Sequence, residues 1–200
     1  GYKERDILPG DYKYEDWNGD GEINGQDEHP FAFDQTPWLQ FSLNAGLQWK
    51  NLDFNMLLQG SALGSMEYKE PLHEIWGKNG GGALKQFLDR WHPVDPKADP
   101  YDPSTVWTSG HYAYTGRWAK NNSAFNRVST AYLRLKSIEL GYTFPKLKQI
   151  PNASLRIYAN AYNLLTFTGV KFVDPEHPDD DLGRMYPLNK TYTLGVSLSF

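Results

Sequence analysis

The stretch KTYTLGVSLSF, residues 190–200, decides the fold. Tyr192, Leu194, Val196, Leu198 and Phe200 occupy its even positions, and Thr191, Thr193, Gly195, Ser197 and Ser199 its odd ones. A period of two without an exception predicts a strand whose two faces meet different surroundings. A strand in a soluble sandwich alternates in the same way, but its wet face usually carries Lys, Glu and Arg. After Lys190 this polar face carries none. An apolar face against lipid and a small polar face against an aqueous lumen produce this pattern in a transmembrane barrel.

Upstream segments repeat the alternation. In 38–49, Leu39, Phe41, Leu43, Ala45, Leu47 and Trp49 share one face, with Gln40, Ser42, Asn44, Gly46 and Gln48 opposite. Lys50-Asn51 reads as a tight turn. In 52–62, Leu52, Phe54, Met56, Leu58 and Ala62 oppose Asp53, Asn55, Gln59 and Ser61, so 38–62 is a hairpin. A second hairpin is expected over 131–167. Its first strand changes phase: Leu133 and Leu135 are odd, whereas Ile138, Leu140, Tyr142 and Phe144 are even. Either a bulge lies near Lys136-Ser137, or the strand enters a different environment there. In the second, Leu155, Ile157, Ala159, Ala161 and Leu165 face one way and Arg156, Tyr158, Asn160 and Tyr162 the other.

The connections 50–51 and 145–151 are short, and 9–37, 63–130 and 168–189 are long. Long and short alternate, as they do when the long loops of an antiparallel barrel lie outside the cell and the short turns in the periplasm. A strand of about 11 residues is ~37 Å long at ~3.4 Å per residue. Tilted by ~45°, it rises ~26 Å, which matches an apolar band of ~25 Å. Trp49, Phe54, Tyr142, Phe144 and Phe200 fall near the short-turn end, where an aromatic girdle is expected. Residues 63–130 are rich in Gly, Pro, Trp and Asp and lack a sustained period. Leu84, Phe87, Leu88 and Trp91 fall at helical spacing and predict a short helix over 83–91, stopped by His92-Pro93.

Composition narrows the alternatives. The 200 residues carry a net charge of −4, which gives no general attraction to nucleic acid. There is no cysteine, hence no disulfide framework and no thiolate metal site. No apolar run of about 18 residues is present, so no transmembrane helix is expected. That leaves a barrel open, because barrel strands hide their apolar residues by alternation. The fold class is all-β, as antiparallel strands of a large transmembrane β-barrel. Five strands cannot close a lipid-facing barrel, for which about eight are needed. The rest of the wall is expected from further sequence, and Gly1-Tyr2-Lys3-Glu4 reads as the interior of a longer chain. A soluble secreted Ca²⁺-stabilised carbohydrate-binding β domain is the rival.

Residues 16–27, DWNGDGEINGQD, fit the pattern D-x-N-x-D-G-x-I-N-x-x-D of a Ca²⁺ loop. Asp16, Asn18 and Asp20 would offer side-chain oxygens, Glu22 its carbonyl, Asn24 a direct or water-mediated contact, and Asp27 the closing carboxylate. Asp27 stands where a longer Glu is usual. Pro9-Gly10 and Pro30 leave little room for flanking helices, which points to a structural staple rather than a switch. The alternative is a turn held by Asp and Asn side chains bonding to backbone.

Several motifs together resemble a known family. Pro9-Gly10-Asp11 before the Asp-rich loop, NLDFN from Asn51 and Leu58-Gln59-Gly60 are similar to the C-terminal part of SusC/RagA-type TonB-dependent outer-membrane receptors. So are YLRLKSIELGYTFP from Tyr132, YANAYNLLTFT from Tyr158, Asp174-Pro175-Glu176, Tyr186-Pro187 and the terminal strand. The resemblance implies a barrel of roughly 22 strands with a plugged lumen, and long extracellular loops. It implies import of glycans or peptides across the cell outer membrane, a SusD-like lipoprotein partner, and TonB coupling through an N-terminal part. It also implies that Thr193, Gly195, Leu198 and Phe200 belong to a C-terminal assembly signal.

Other candidates are weaker. Trp76, Trp91, Trp107, Tyr112, Tyr114 and Trp118 in the long loop suit a ligand or partner surface, or the packing of the loop itself. Asp174, Glu176 and Asp179-Asp180-Asp181 read as a solvated acidic loop or a second cation site. No nucleophile elbow, phosphate loop or dinucleotide fingerprint occurs, and the chain is not expected to be an enzyme.

Overall fold

The computed structural model describes residues 7–69, 72–73, 75, 84–114, 123–145, 153–176 and 185–200. Its strands are β1 (Leu39–Trp49), β2 (Leu52–Ala62), β3 (Ser65–Glu67), β4 (His92–Pro93), β5 (Trp107–Thr108), β6 (Arg127–Ser129), β7 (Tyr132–Phe144), β8 (Ser154–Thr168) and β9 (Thr191–Ser199). The described residues fall into two compact units, a strand unit (33–66 and the described residues from 128 on) and a loop unit (7–32 and those within 67–127).

In the strand unit, β1, β2, β7, β8 and β9 make one antiparallel sheet in that order. Alternating β-branched and aromatic residues suit a pleated ladder, and the register joins their apolar sides. Leu47 pairs with Phe54, Phe54 with Leu140, Leu140 with Ala159, and Ala159 with Leu194. This row crosses all five strands on one face. The phase change in β7 is a bulge, with the register shifting between Leu135 and Ser137. One extra residue, Lys136, moves the apolar set from odd to even numbering while keeping it on the same face. The β1–β2 turn is two residues long, and Lys50 takes φ 54 there, a left-handed value of the kind that short hairpin turns demand.

The apolar face is open. Leu194 is 85% exposed, and Leu43, Leu47, Trp49, Tyr192, Val196 and Phe200 are exposed as well. Sandwich packing would bury such a face. Tyr142 and Phe144 meet edge to face at 4.8 Å beside the short-turn end.

The loop unit is built differently. Its buried apolar residues include Leu8, Leu72, Ile75, Phe87 and Ala113. The helix expected over 83–91 is instead a single 3-10 turn at Lys85–Leu88 that buries Phe87. The chain leaves that turn because the Asp89 carbonyl accepts the His111 and Tyr112 N–H groups, and Trp91 N–H donates to the Tyr112 carbonyl. Of the evenly spaced apolar residues, Phe87 is buried against Tyr112 while Leu84 and Leu88 are exposed, so the spacing does not mark a helix face. His92 and Pro93 then pair with Thr108 and Trp107.

Candidate functional site

The loop at 16–27 is organised by its own acids. Asp16 accepts from the N–H groups of Gly19 (2.7 Å), Asp20 (3.2 Å) and Gly21 (2.8 Å). Asn18 Oδ1 accepts from Asp20 N–H and Asp20 Oδ1 from Glu22 N–H, both at 2.8 Å. Gly19 and Gly21 take φ 75 and 86, values that a side chain would resist. Asp27 closes the circle, accepting from Trp17 (2.9 Å), Asn18 (3.3 Å) and Asn24 (2.7 Å). The Asn24 bond, with the other two, holds the Asp27 carboxyl below the usual range. The donor set is all oxygen, as a hard cation such as Ca²⁺ requires; Asp16 Oδ2, both Asp20 carboxylate oxygens and Asp27 Oδ2 each accept a single bond and keep a second lone pair, whereas Asp16 Oδ1 and Asp27 Oδ1 each accept two. Among the described residues no three His, Cys, Asp or Glu side chains gather into a metal site.

Around this loop the aromatics are engaged with one another. Trp17, 58% exposed, stacks on His29 with centroids 3.7 Å apart. Leu8-Pro9-Gly10-Asp11 forms a turn closed from Asp11 N–H to the Leu8 carbonyl at 3.0 Å. Gly10 takes φ 85 there, and the Trp91 ring fills the space where its side chain would be. Trp107 meets Tyr114 edge-on at 5.3 Å, and Tyr112 meets Phe87 at 4.9 Å. Tyr12 lies against Phe125 at 5.0 Å and donates to Asn126 Oδ1 at 3.4 Å. Burial pushes its hydroxyl up to about 12. Four of the six aromatic candidates thus lie in packed pairs or turns, while Trp76 and Trp118 fall outside the described residues.

The polar face of the sheet carries two ion networks that sequence reading did not identify. Arg156 on β8 binds Asp53 on β2 and Glu139 on β7. To do so its guanidinium crosses β7 above Gly141, where any Cβ would collide with Arg156 and Asp53. In the other direction Tyr158 lies over Gly195 of β9, again leaving no room for a Cβ. Gly195, read from the sequence as part of an assembly signal, therefore also has a packing role. Thr193 pairs with Asn160, Leu198 pairs with Leu155, and Phe200 ends the chain exposed.

The second network joins β7 to the segment after β8. Arg134 is 2% exposed and holds both oxygens of Asp174, at 2.8 and 2.9 Å. Its Nε lies 3.4 Å from Glu176, which Lys136 also binds at 2.9 Å. Asp174 and Glu176 are thus ion-paired, neither a solvated acidic loop nor a cation site; Asp179-Asp180-Asp181 lie outside the described residues. A sequence signal existed in the basic pair Arg134 and Lys136, two residues apart on one side of a strand.

No family model matches the chain. Two curated proteins of Formosa agariphila do. TonB-dependent receptor P3 is 28% identical over 98% of this chain and 19% of its own length, and TonB-dependent receptor P26 is 28% identical over 96% and 20%. The chain therefore spans about a fifth of these relatives. Among solved structures, the RagAB peptide importer in its open-open state aligns with a TM-score of 0.60 and 24% identity over 90% of this chain and 19% of that one. The RagAB peptide transporter aligns at 0.63 and 22%, with the same coverage. This likeness establishes the fold, and the sequence relatives are receptors, not enzymes. Over 96–98% of its length this chain is homologous to two proteins named TonB-dependent receptors, and it has the antiparallel all-β fold of a segment of a β-barrel.

Proposed function

We propose that the chain supplies wall and exterior loops to a TonB-dependent importer of the SusC type in the outer membrane of a Gram-negative bacterium. The observation that carries this reading is the apolar face that runs unbroken across five strands, exposed on β1, β9 and much of β7 and β8 and half-buried on β2. Lipid is the surrounding that stabilises such a face. On this reading the polar face lines the lumen, β9 is the C-terminal assembly strand, and the loop unit lies outside the cell with a Ca²⁺-stapled loop at 16–27. A SusD-like lipoprotein is the proposed partner at that surface. The cargo is a peptide or an oligosaccharide, and the alignment with a peptide importer favours the peptide. The plug and the TonB contact would lie in other parts of such a receptor.

Two leucines test the reading in the full-length receptor. Leu194 on β9 and Leu88 in the loop unit are both open, at 85% and 73% exposure. Leu194→Arg places a cation in the apolar band, at a cost of about 2–4 kcal/mol near the bilayer midplane. It should lower the amount of heat-modifiable receptor in the outer-membrane fraction, while Leu88→Arg leaves it unchanged. Normal assembly of the Leu194 variant would refute lipid exposure of this face.

A further inference from the structure

We infer that Asn24 is a site of spontaneous backbone chemistry, succinimide formation with Gly25, and that the neighbouring Asn18-Gly19 is protected from it by the fold. The loop holds two Asn-Gly pairs eight residues or fewer apart, both exposed to water. As free peptides the two would react alike, because glycine hinders the attacking nitrogen least. In the fold they differ.

The reaction begins when the backbone nitrogen after Asn attacks the side-chain carbonyl carbon. In both pairs that carbonyl is polarised: Asn18 Oδ1 accepts from Asp20 N–H and Asn24 Oδ1 from Gln26 N–H, each at 2.8 Å. Such a donor also stabilises the oxyanion formed on attack. The nucleophiles are unlike. Gly19 N–H is tied to Asp16 Oδ1 at 2.7 Å, and a carboxylate there opposes loss of its proton. Among the described residues, Gly25 N–H has no such acceptor. The leaving groups are unlike too. Asn18 Nδ2 is held by Asp20 Oδ2 at 2.9 Å, whereas Asn24 Nδ2 has only the Glu22 carbonyl at 3.4 Å.

At Asn24 the Gly25 nitrogen bonds to Cγ, the Cγ–Nδ2 bond breaks, and ammonia leaves with the proton from Gly25. Water then opens one of the two imide carbonyls, giving aspartate or isoaspartate. Either product adds a negative charge to the loop. Isoaspartate also adds a methylene to the main chain and disrupts the cap by which Asn24 and Asp27 bond reciprocally at the 3-10 turn Gly25–Asp27. The loop thus ages at a defined point.

The test is a time course of the purified receptor in detergent with a chelator at mildly alkaline pH, read by peptide mapping and mass spectrometry. A synthetic peptide of residues 14–29 runs alongside. In the receptor, Asn24 should convert several-fold faster than Asn18, while in the peptide the two should be comparable. Gly25→Ala should slow conversion at Asn24 in the receptor; a Cβ at Gly25 meets open space, so the loop keeps its shape. The inference is overturned if Asn18 converts as fast as Asn24 in the receptor. It is equally overturned if Asn24 keeps its amide while the peptide converts.

Discussion

The two units differ in how much of their side-chain bonding is local. In the strand unit, the polar bonds that matter join distant residues: Arg156 and Asp53 are 103 positions apart, and Arg134 and Asp174 are 40 apart. In the loop unit many side-chain bonds are local, although Tyr12 reaches Asn126, 114 positions on. Asp95, Asp99 and Asp102 each accept an N–H two residues on, and the bonds from Asp16 reach at most five residues. Local side-chain bonds fix turns without help from the rest of the chain. Long-range pairs depend on register and so report on the whole sheet. The strand unit should therefore fail as a whole when one contact is removed, and the Asp-held turns of the loop unit piece by piece.

The largest effect is expected at Arg134. Among the described residues, Arg134→Ala leaves Asp174 with no cationic partner and Glu176 with Lys136 alone, at a cost of roughly 3–5 kcal/mol. Thermal unfolding of the full receptor in detergent should show it, together with faster proteolysis within 168–176. A loss under about 1 kcal/mol, the range of an exposed pair, would mean that this latch is ornamental to the sheet and would narrow the contrast between the units. A middling effect is expected in the Ca²⁺ loop. The double variant Asp16→Ala, Asp20→Ala should abolish a calorimetric Ca²⁺ signal in the range of about 10⁻⁴–10⁻³ M while leaving the unfolding of the barrel unchanged. An unaltered titration would remove the site, and a destabilised barrel would break the claimed independence of the loop. The smallest effect concerns Tyr12. Its hydroxyl titrates at about 12 in the fold and near ~10 when unfolded. Between those values the unfolded chain loses the proton and the folded chain keeps it, so stability is intact below the lower value and falls as pH rises toward the upper one. Tyr12→Phe should flatten this alkaline decline. If the decline is unchanged in the variant, Tyr12 is not buried against Phe125 and Asn126 in solution.

The legible and illegible parts of the sequence divide along the same line. Alternation is a local signal, and it located the five long strands, their apolar faces and even the bulge at Lys136, whose extra residue shows as a change of parity. The left-handed turns at Gly10, Gly19 and Gly21 were marked by Pro-Gly and by the Asp-Asn-Gly pattern. The ion networks were not legible, because Arg156 finds Asp53 only once β7 is set between them in one register. For the same reason nothing in the sequence singled out Gly141, the gap through which that guanidinium passes. The aromatics of 84–114 could be recognised as a cluster, but their pairing follows from a short ladder between His92-Pro93 and Trp107-Thr108 that carries almost no periodicity.

Tyr158 lying across Gly195 has a consequence for how the terminal strand is accepted. A slip of β9 by one residue would turn its apolar side over, which any bilayer or lumen would reject. A slip by two keeps the sides correct and would pass that test. It would, however, bring Thr193 or Ser197 beneath the Tyr158 ring, which would have to move aside to admit their Cβ atoms. One missing methyl group thus works as a key, favouring a single alignment of β9 over the near misses that alternation alone would let through.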